Sequence, residues 1–287
     1  MKIAICGISF PAGVSPEEQL KIAADAGYDA IEPPFSAEGP VSLQSTEDDL
    51  TTYRKAAEKA GLEIASVTGG LYWGTPFTSD DADVRAKALD IARAHIRAAK
   101  VLGAETVLVV PGVVHAFFIE NCPVVRYDVV YERSLAAMKA LAPLAEELDV
   151  HVGVENVWNK FLLSPMEMAR FVDEVGSTHV GCYFDVGNVV AFGYPQHWIT
   201  ILGSRIRKVH VKDFKAEASV MSMAGFVDIL QGDVDWPAVI AALEDIGYDG
   251  PLTAEMIPTY THHPIQRIYN TAASLRALLR RGEEAGR

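Results

Sequence analysis

Apolar residues along the chain gather in eight short runs, near 2–7, 30–34, 63–68, 106–111, 151–157, 180–186, 206–213 and 252–256. Their length and content of Val, Ile and aromatic residues predict β-strands. After each run comes a longer stretch that suits a helix; between Asp80 and Leu102, for example, Val84, Ala88, Ile91, Ala99 and Leu102 recur at helical spacing. One junction repeats: DAGYDAIE (25–32), EKAGLEIASV (58–67), VLGAETVLVV (101–110) and DIGYDGPLTAE (245–255) each read helix, glycine, short polar step, strand. The glycine stands where a helix needs a left-handed stop. Ser15-Pro16-Glu17-Glu18 and Ser164-Pro165-Met166-Glu167 predict helix starts, with serine as cap, proline in the first turn and glutamate closing a capping box. Alternation of strand and helix through 287 residues predicts an α/β fold, a single-domain (β/α)8 TIM barrel over 1–287. The rival, an open doubly wound sheet, would want a Gly-rich phosphate loop after the first strand, and ICGISF carries no such pattern.

A barrel of this kind works at the C-terminal ends of its strands. HVGVENV ends on Glu155 and Asn156, VGCYFDVGN on Asp185 with Asn188 just beyond, and PLTAEM on Glu255. IRKVHVKDF (206–214) sends His210 and Lys212 to the same face by strand alternation. A single carboxylate at a strand end is usually a cap or a turn residue. Four consecutive strands that each offer a ligand at one rim are a different matter. Three carboxylates and one imidazole suit a hard or borderline dication such as Mn²⁺, Co²⁺ or Mg²⁺ better than structural zinc. Without a cation the carboxylates would repel one another and resist burial. His151, at the start of its strand, is assigned to the opposite end of the barrel and to a structural role.

Charge and composition narrow the partners. The formal net charge is −13 with no long basic run, which argues against nucleic acid. Apolar runs fall short of the ~18–20 residues that cross a bilayer. Cys6, Cys122 and Cys182 are odd in number and form no C-x-x-C pair, so neither a disulfide framework nor a zinc ribbon is expected. MKIAICGISF enters a strand directly, with no charged leader. A soluble, reduced, cytoplasmic protein is the expectation.

VENVWNK, YFDVGN, VHVKD and IGYDGPLTAEM resemble motifs of the sugar phosphate isomerase/epimerase family, the xylose-isomerase-like TIM barrels, over essentially the whole chain. The pentulose-phosphate 3-epimerase branch is the most similar. The resemblance implies one divalent metal ion, Mn²⁺ first with Co²⁺ or Mg²⁺ as alternatives, held by Glu155, Asp185, His210 and Glu255. It implies Glu155 and Glu255 as the acid/base pair of a ketose 3-epimerase or isomerase that passes through a metal-stabilised cis-enediolate. The substrate is then a sugar or sugar phosphate, and the assembly a homodimer or homotetramer. A metal-dependent lyase of the same fold, of the inosose dehydratase or 3-keto C-glycoside deglycosidase type, is the alternative. Two positions depart from the tagatose-epimerase pattern: Asn188 replaces a substrate-contacting histidine, and Phe161 a glutamate. Further substrate contacts are expected from Asn188, Lys212, His115, Glu32 and Trp73. Lys212 would bind phosphate or balance Asp185 and Asp213, His115 would bond substrate or serve its loop, Glu32 would hold a sugar hydroxyl or its own loop, and Trp73 would wall a sugar or pack within its loop. The long segment 215–236 is expected to be a lid or dimer contact.

Overall fold

The computed structural model describes residues 1–216 and 222–285, with side chains through residue 280. Eight parallel strands form one curled sheet: β1 (Ile3–Cys6), β2 (Ala30–Glu32), β3 (Glu63–Ile64), β4 (Thr106–Val109), β5 (His151–Glu155), β6 (Val180–Asp185), β7 (Ile206–Val211) and β8 (Leu252–Ala254). The spatial order is β3-β2-β1-β8-β7-β6-β5-β4. A parallel bridge between Val67 and Val107 closes the ends, with Val67 N–H donating to Thr106 O (3.0 Å) and Leu108 N–H to Val67 O (2.8 Å). The result is a TIM barrel.

The helices are α1 (Pro16–Asp25), α2 (Glu47–Lys59), α3 (Ala82–Leu102), α4 (Tyr127–Leu148), α5 (Pro165–Val175), the short α6 (Val186–Val190), α7 (Pro195–Leu202), α8 (Trp236–Asp245) and α9 (Pro264–Ala285). They surround the sheet, and the main apolar core lies between the two layers. This is why the strands read as continuous apolar runs: outward residues meet helices, and inward ones fill the barrel. Ala4, Ala30 and Ala65 form a small cluster apart from that core.

The predicted glycine stops hold, with Gly27, Gly61, Gly103 and Gly247 all at positive φ between 72° and 84°. Both serine caps form as well, Ser15 Oγ accepting from Glu18 N–H and Ser164 Oγ from Glu167 N–H, each at 3.2 Å. Among the described residues neither predicted box shows its return bond from the glutamate side chain. Glu167 turns instead to Leu163 N–H (3.0 Å) and the Tyr127 hydroxyl (2.6 Å), tying α5 to α4. A complete box stands at Thr46 and Asp49, where the motif uses aspartate.

Segment 215–236 was expected to be a lid or dimer contact, and residues 217–221 of it lie outside the described residues. Its described part is held by Asp213, which is fully buried. The carboxylate accepts from Leu230 N–H (3.0 Å), Val234 N–H (3.2 Å) and Trp236 Nε1–H (2.9 Å), besides Phe214 N–H (3.0 Å). His151 lies at the bottom end as expected, its ring 4.9 Å from that of His179 and stacked on it.

Two predictions follow from the packing. Asp213→Ala strips buried donors of a charged acceptor and should lower stability in urea by about 3 kcal/mol or more; a loss near zero would deny Asp213 this organising part. His95 is buried in α3, with its ring nitrogens paired to Tyr72 Oη (3.0 Å) and Val67 O (3.1 Å). Burial holds it neutral, pulling its pKa from 6.5 down to about 3. The unfolded chain therefore binds a proton that the folded one refuses, and stability is lost as pH falls from 6.5 toward 3. The stability difference between wild type and His95→Gln should shrink by about 2 kcal/mol between pH 7 and pH 5. A constant difference would contradict a neutral buried imidazole.

Candidate metal centre and active site

Barrel register brings the predicted ligands together. Asp185 and His210 are direct cross-strand partners on β6 and β7, and His210 in turn pairs with Thr253 on β8. Glu155 ends β5 beside Tyr183. Glu255, just past β8, donates its N–H to Val211 O (3.1 Å). One ligand atom from each of Glu155, Asp185, His210 and Glu255 lies within 4.8 Å of all the others, and all four residues are buried. From His210 Nδ1 the distances are 3.8 Å to Glu155 Oε1, 3.9 Å to Asp185 Oδ2 and 3.9 Å to Glu255 Oε1.

These separations suit ligands that share one small cation rather than hydrogen-bond one another. His210 Nδ1 and Asp185 Oδ2 are buried with no hydrogen-bond partner among the described residues. Orphaned buried polar atoms are rare, because each forfeits its solvation. A divalent ion with oxygen and imidazole preference would satisfy both, so the donor set fits the predicted metal.

The electrostatics point the same way. Burial, with Glu255 adding repulsion, pushes the Glu155 carboxyl up to about 7 despite the nearby His210. Burial also raises Asp185, although Lys212 opposes it. For Glu255, burial works upward but Lys212 and His210 prevail, and its pKa is lowered.

Local bonds fix the candidate ligands. Asn156 Oδ1 accepts from Asp185 N–H (2.7 Å) while its Nδ2 donates to Asp185 O (2.8 Å), a two-way clamp between β5 and β6. Asp185 Oδ1 caps α6 by accepting from Asn188 N–H (2.8 Å). At Gly187 a Cβ would lie 2.5 Å from Lys212 Cγ, so only glycine lets that side chain pass.

Lys212 does turn to the same face as His210, and it is buried. Its ammonium donates to Glu255 Oε2 and lies 3.0 Å from Asp185 Oδ2, out of hydrogen-bond alignment with the latter. It balances Asp185 and Glu255; the expected balance with Asp213 is corrected, because that carboxylate is occupied by loop donors. Asn188 has a structural part as well. Its side-chain amide donates to Asn156 O (3.0 Å) and its backbone carbonyl accepts from Trp158 Nε1–H (2.9 Å), so the residue braces the Asp185 turn.

Glu32 is corrected too. It serves neither a sugar hydroxyl nor its loop: fully buried, it receives Ser66 Oγ–H (2.7 Å), Tyr183 Oη–H (2.6 Å) and His210 Nε2 (2.7 Å). Burial works against its ionisation, yet His210 and Tyr183 hold its pKa down at about 2. His115 sits half-buried in the loop after β4 with its buried Nδ1 lacking a partner among the described residues. Trp73 meets Phe118 edge-on at 4.9 Å. From there rings continue through Phe117 (5.4 Å), Trp158 (6.1 Å) and Phe226 (4.9 Å), and Lys212 Nζ lies 5.0 Å from the Phe226 centroid. An aromatic arc therefore runs from the loop after β3 to the ligand cluster. Phe161, a departure noted in the sequence, is buried against Tyr127 and Phe171.

Asn156, Tyr183 and Ser66 had no role assigned from sequence. Tyr183 alternates with Asp185 in YFD, which marks it as inward-facing, but nothing local tells that its hydroxyl meets Glu32.

Comparison with known proteins agrees with this architecture. An L-ribulose-5-phosphate 3-epimerase of Salmonella choleraesuis is 22% identical over 271 residues, covering 91% of this chain and 88% of that protein. An L-ribulose 3-epimerase of Methylomonas sp. is 27% identical over 245 residues, covering 81% and 75% respectively. In fold, the chain matches D-psicose 3-epimerase of Clostridium cellulolyticum, solved with D-tagatose, at a TM-score of 0.77 and 18% identity over 97% of this chain and 98% of that one. The model of the xylose isomerase-like TIM barrel family matches residues 20–280, and the chain belongs to that family.

Proposed function

We propose that the protein is a divalent-metal-dependent 3-epimerase of a ketose or ketose phosphate, with Glu155 and Glu255 as its acid/base pair. The observation that carries this reading is the convergence of Glu155, Asp185, His210 and Glu255 around a buried point where, among the described residues, His210 Nδ1 has no hydrogen-bond partner and Asp185 Oδ2 has an ion pair with Lys212 but no hydrogen bond. The named relatives, which carry out 3-epimerisation by their names, support the reaction class.

A bound cation would hold the substrate's ketone oxygen and so acidify the neighbouring C–H, which is otherwise too weak an acid at neutral pH. The rest falls to the chain. Glu155 and Glu255 come from β5 and β8, with Asp185 and His210 on the two strands between them. One glutamate enters ionised and takes the proton from C3; the other enters protonated and delivers a proton to the opposite face. Configuration at C3 inverts, and the two glutamates exchange protonation states in each turnover. Lys212 holds Glu255 in place, while the buried setting keeps water from competing for the proton. The aromatic arc offers apolar faces to the C–H side of a sugar.

The test follows the substrate α-hydrogen by proton NMR in heavy water, across pentulose phosphates, free ketoses and inososes with added Mn²⁺. Wild type should exchange the C3 hydrogen and yield a product that differs in mass from the substrate only by the deuterium gained at C3. Glu155→Gln and Glu255→Gln should each slow that exchange by about 100- to 10,000-fold. Chelation of the metal should abolish it and Mn²⁺ restore it. Undiminished exchange in both glutamine variants would defeat the assignment, and loss of water from the product would replace epimerisation by elimination.

A further inference from the structure

The proposed reaction uses His210 but leaves its buried companion Glu32 without a part. Glu32 is fully buried, and donors on three other strands or their extensions converge on it. Oε1 accepts the hydroxyls of Ser66 (2.7 Å) and Tyr183 (2.6 Å), and Oε2 lies 2.7 Å from His210 Nε2. A carboxylate engaged in this way only accepts, so the proton between Glu32 and His210 sits on Nε2. In the neutral ring the other nitrogen, Nδ1, then carries the lone pair that a cation can take up. Nδ1 is the atom that faces Glu155, Asp185 and Glu255 at 3.8–3.9 Å and has no hydrogen-bond partner among the described residues.

We propose that Glu32 is a positioning residue for the metal centre: it fixes the orientation and tautomer of His210 so that Nδ1 is presented to the cation. The inference rests on reading the four-residue cluster as a metal centre. Tyr183 and Ser66 hold Glu32 in turn, so the chain of bonds runs hydroxyls to carboxylate to imidazole to ligand site. Space for it is built in. A Cβ at Gly153 would lie 3.0 Å from Tyr183 Cβ and 3.1 Å from its ring, so glycine on β5 makes room for the tyrosine that reaches Glu32. An ionised partner on the far nitrogen also makes the ligand nitrogen more basic, and removing such partners typically weakens metal binding by about 10- to 100-fold.

The experiment measures Mn²⁺ dissociation constants by electron paramagnetic resonance of the free ion at fixed pH. Wild type, Glu32→Gln and Tyr183→Phe are compared, each first shown to unfold cooperatively without metal. Glutamine keeps the shape of glutamate but loses its charge, and it can offer a donor that favours the wrong tautomer. Glu32→Gln should raise the dissociation constant about 10- to 100-fold, and Tyr183→Phe should raise it by less. In wild type labelled with ¹⁵N-histidine and loaded with diamagnetic Zn²⁺, His210 should show its proton on Nε2 and a metal-shifted Nδ1. If Glu32→Gln does not fold, Tyr183→Phe and the wild-type spectrum decide. An affinity within twofold of wild type in Glu32→Gln, or a proton on Nδ1, overturns the proposal while leaving the metal centre intact. A wild type that takes up no cation overturns the metal-centre reading, and this proposal with it.

Discussion

Burying four carboxyl groups inside one barrel is the constraint that shapes this molecule. Glu32, Glu155, Asp185 and Glu255 are all at most 8% exposed, and among the described residues Lys212 is the lysine placed with them, with His210 neutral when its Nδ1 acts as a ligand. Ionised carboxylates in so dry a place are unaffordable unless paired. Lys212 neutralises one charge. A dication held by His210 Nδ1 and the three rim carboxylates, as proposed, would neutralise two more. The remaining charge vanishes if one of the two glutamates carries a proton, which epimerisation requires of the pair at every instant. Charge balance and proposed chemistry thus ask for the same protonation state.

The fold meets the constraint by layering. Above lie Glu155, Asp185 and Glu255 with Lys212; beneath them, His210 reaches down to Glu32, Tyr183 and Ser66. His210 belongs to both layers because its two ring nitrogens point to different neighbours. Glycines at 153 and 187 clear the way for Tyr183 and Lys212, and Asn156 and Asn188 lock the turn that carries Asp185. The site is therefore held by backbone-anchored bonds on rigid strands. Its mouth, by contrast, is walled by loop aromatics such as Phe117 and Phe118, which remain partly exposed.

Much of this was legible in the sequence because it is local. Strand runs, glycine stops and serine caps depend on a few neighbouring residues, and the barrel rule then places Glu155, Asp185, His210 and Glu255 at one rim. The partners of Glu32 were not legible. Glu32 and His210 are 178 residues apart and meet only through the stagger of the barrel, which decides which inward layer each side chain enters. Lys212 had the same ambiguity: alternation fixes its face, but whether its reach ends at Asp213 or Glu255 depends on the loop that claims Asp213. Asn188 reads as a substrate contact by position, and its bond to Asn156 O, a partner 32 residues away, was not legible.

The most direct measurement is anomalous diffraction from crystals soaked in MnCl₂, recorded near the manganese edge. One peak bonded jointly to Glu155, Asp185, His210 Nδ1 and Glu255, at about 2.0–2.4 Å from each as expected for hard cations with oxygen and nitrogen ligands, is the predicted result. No peak at that point, or one bound elsewhere while the four side chains turn apart, would contradict a shared dication at the centre of this barrel.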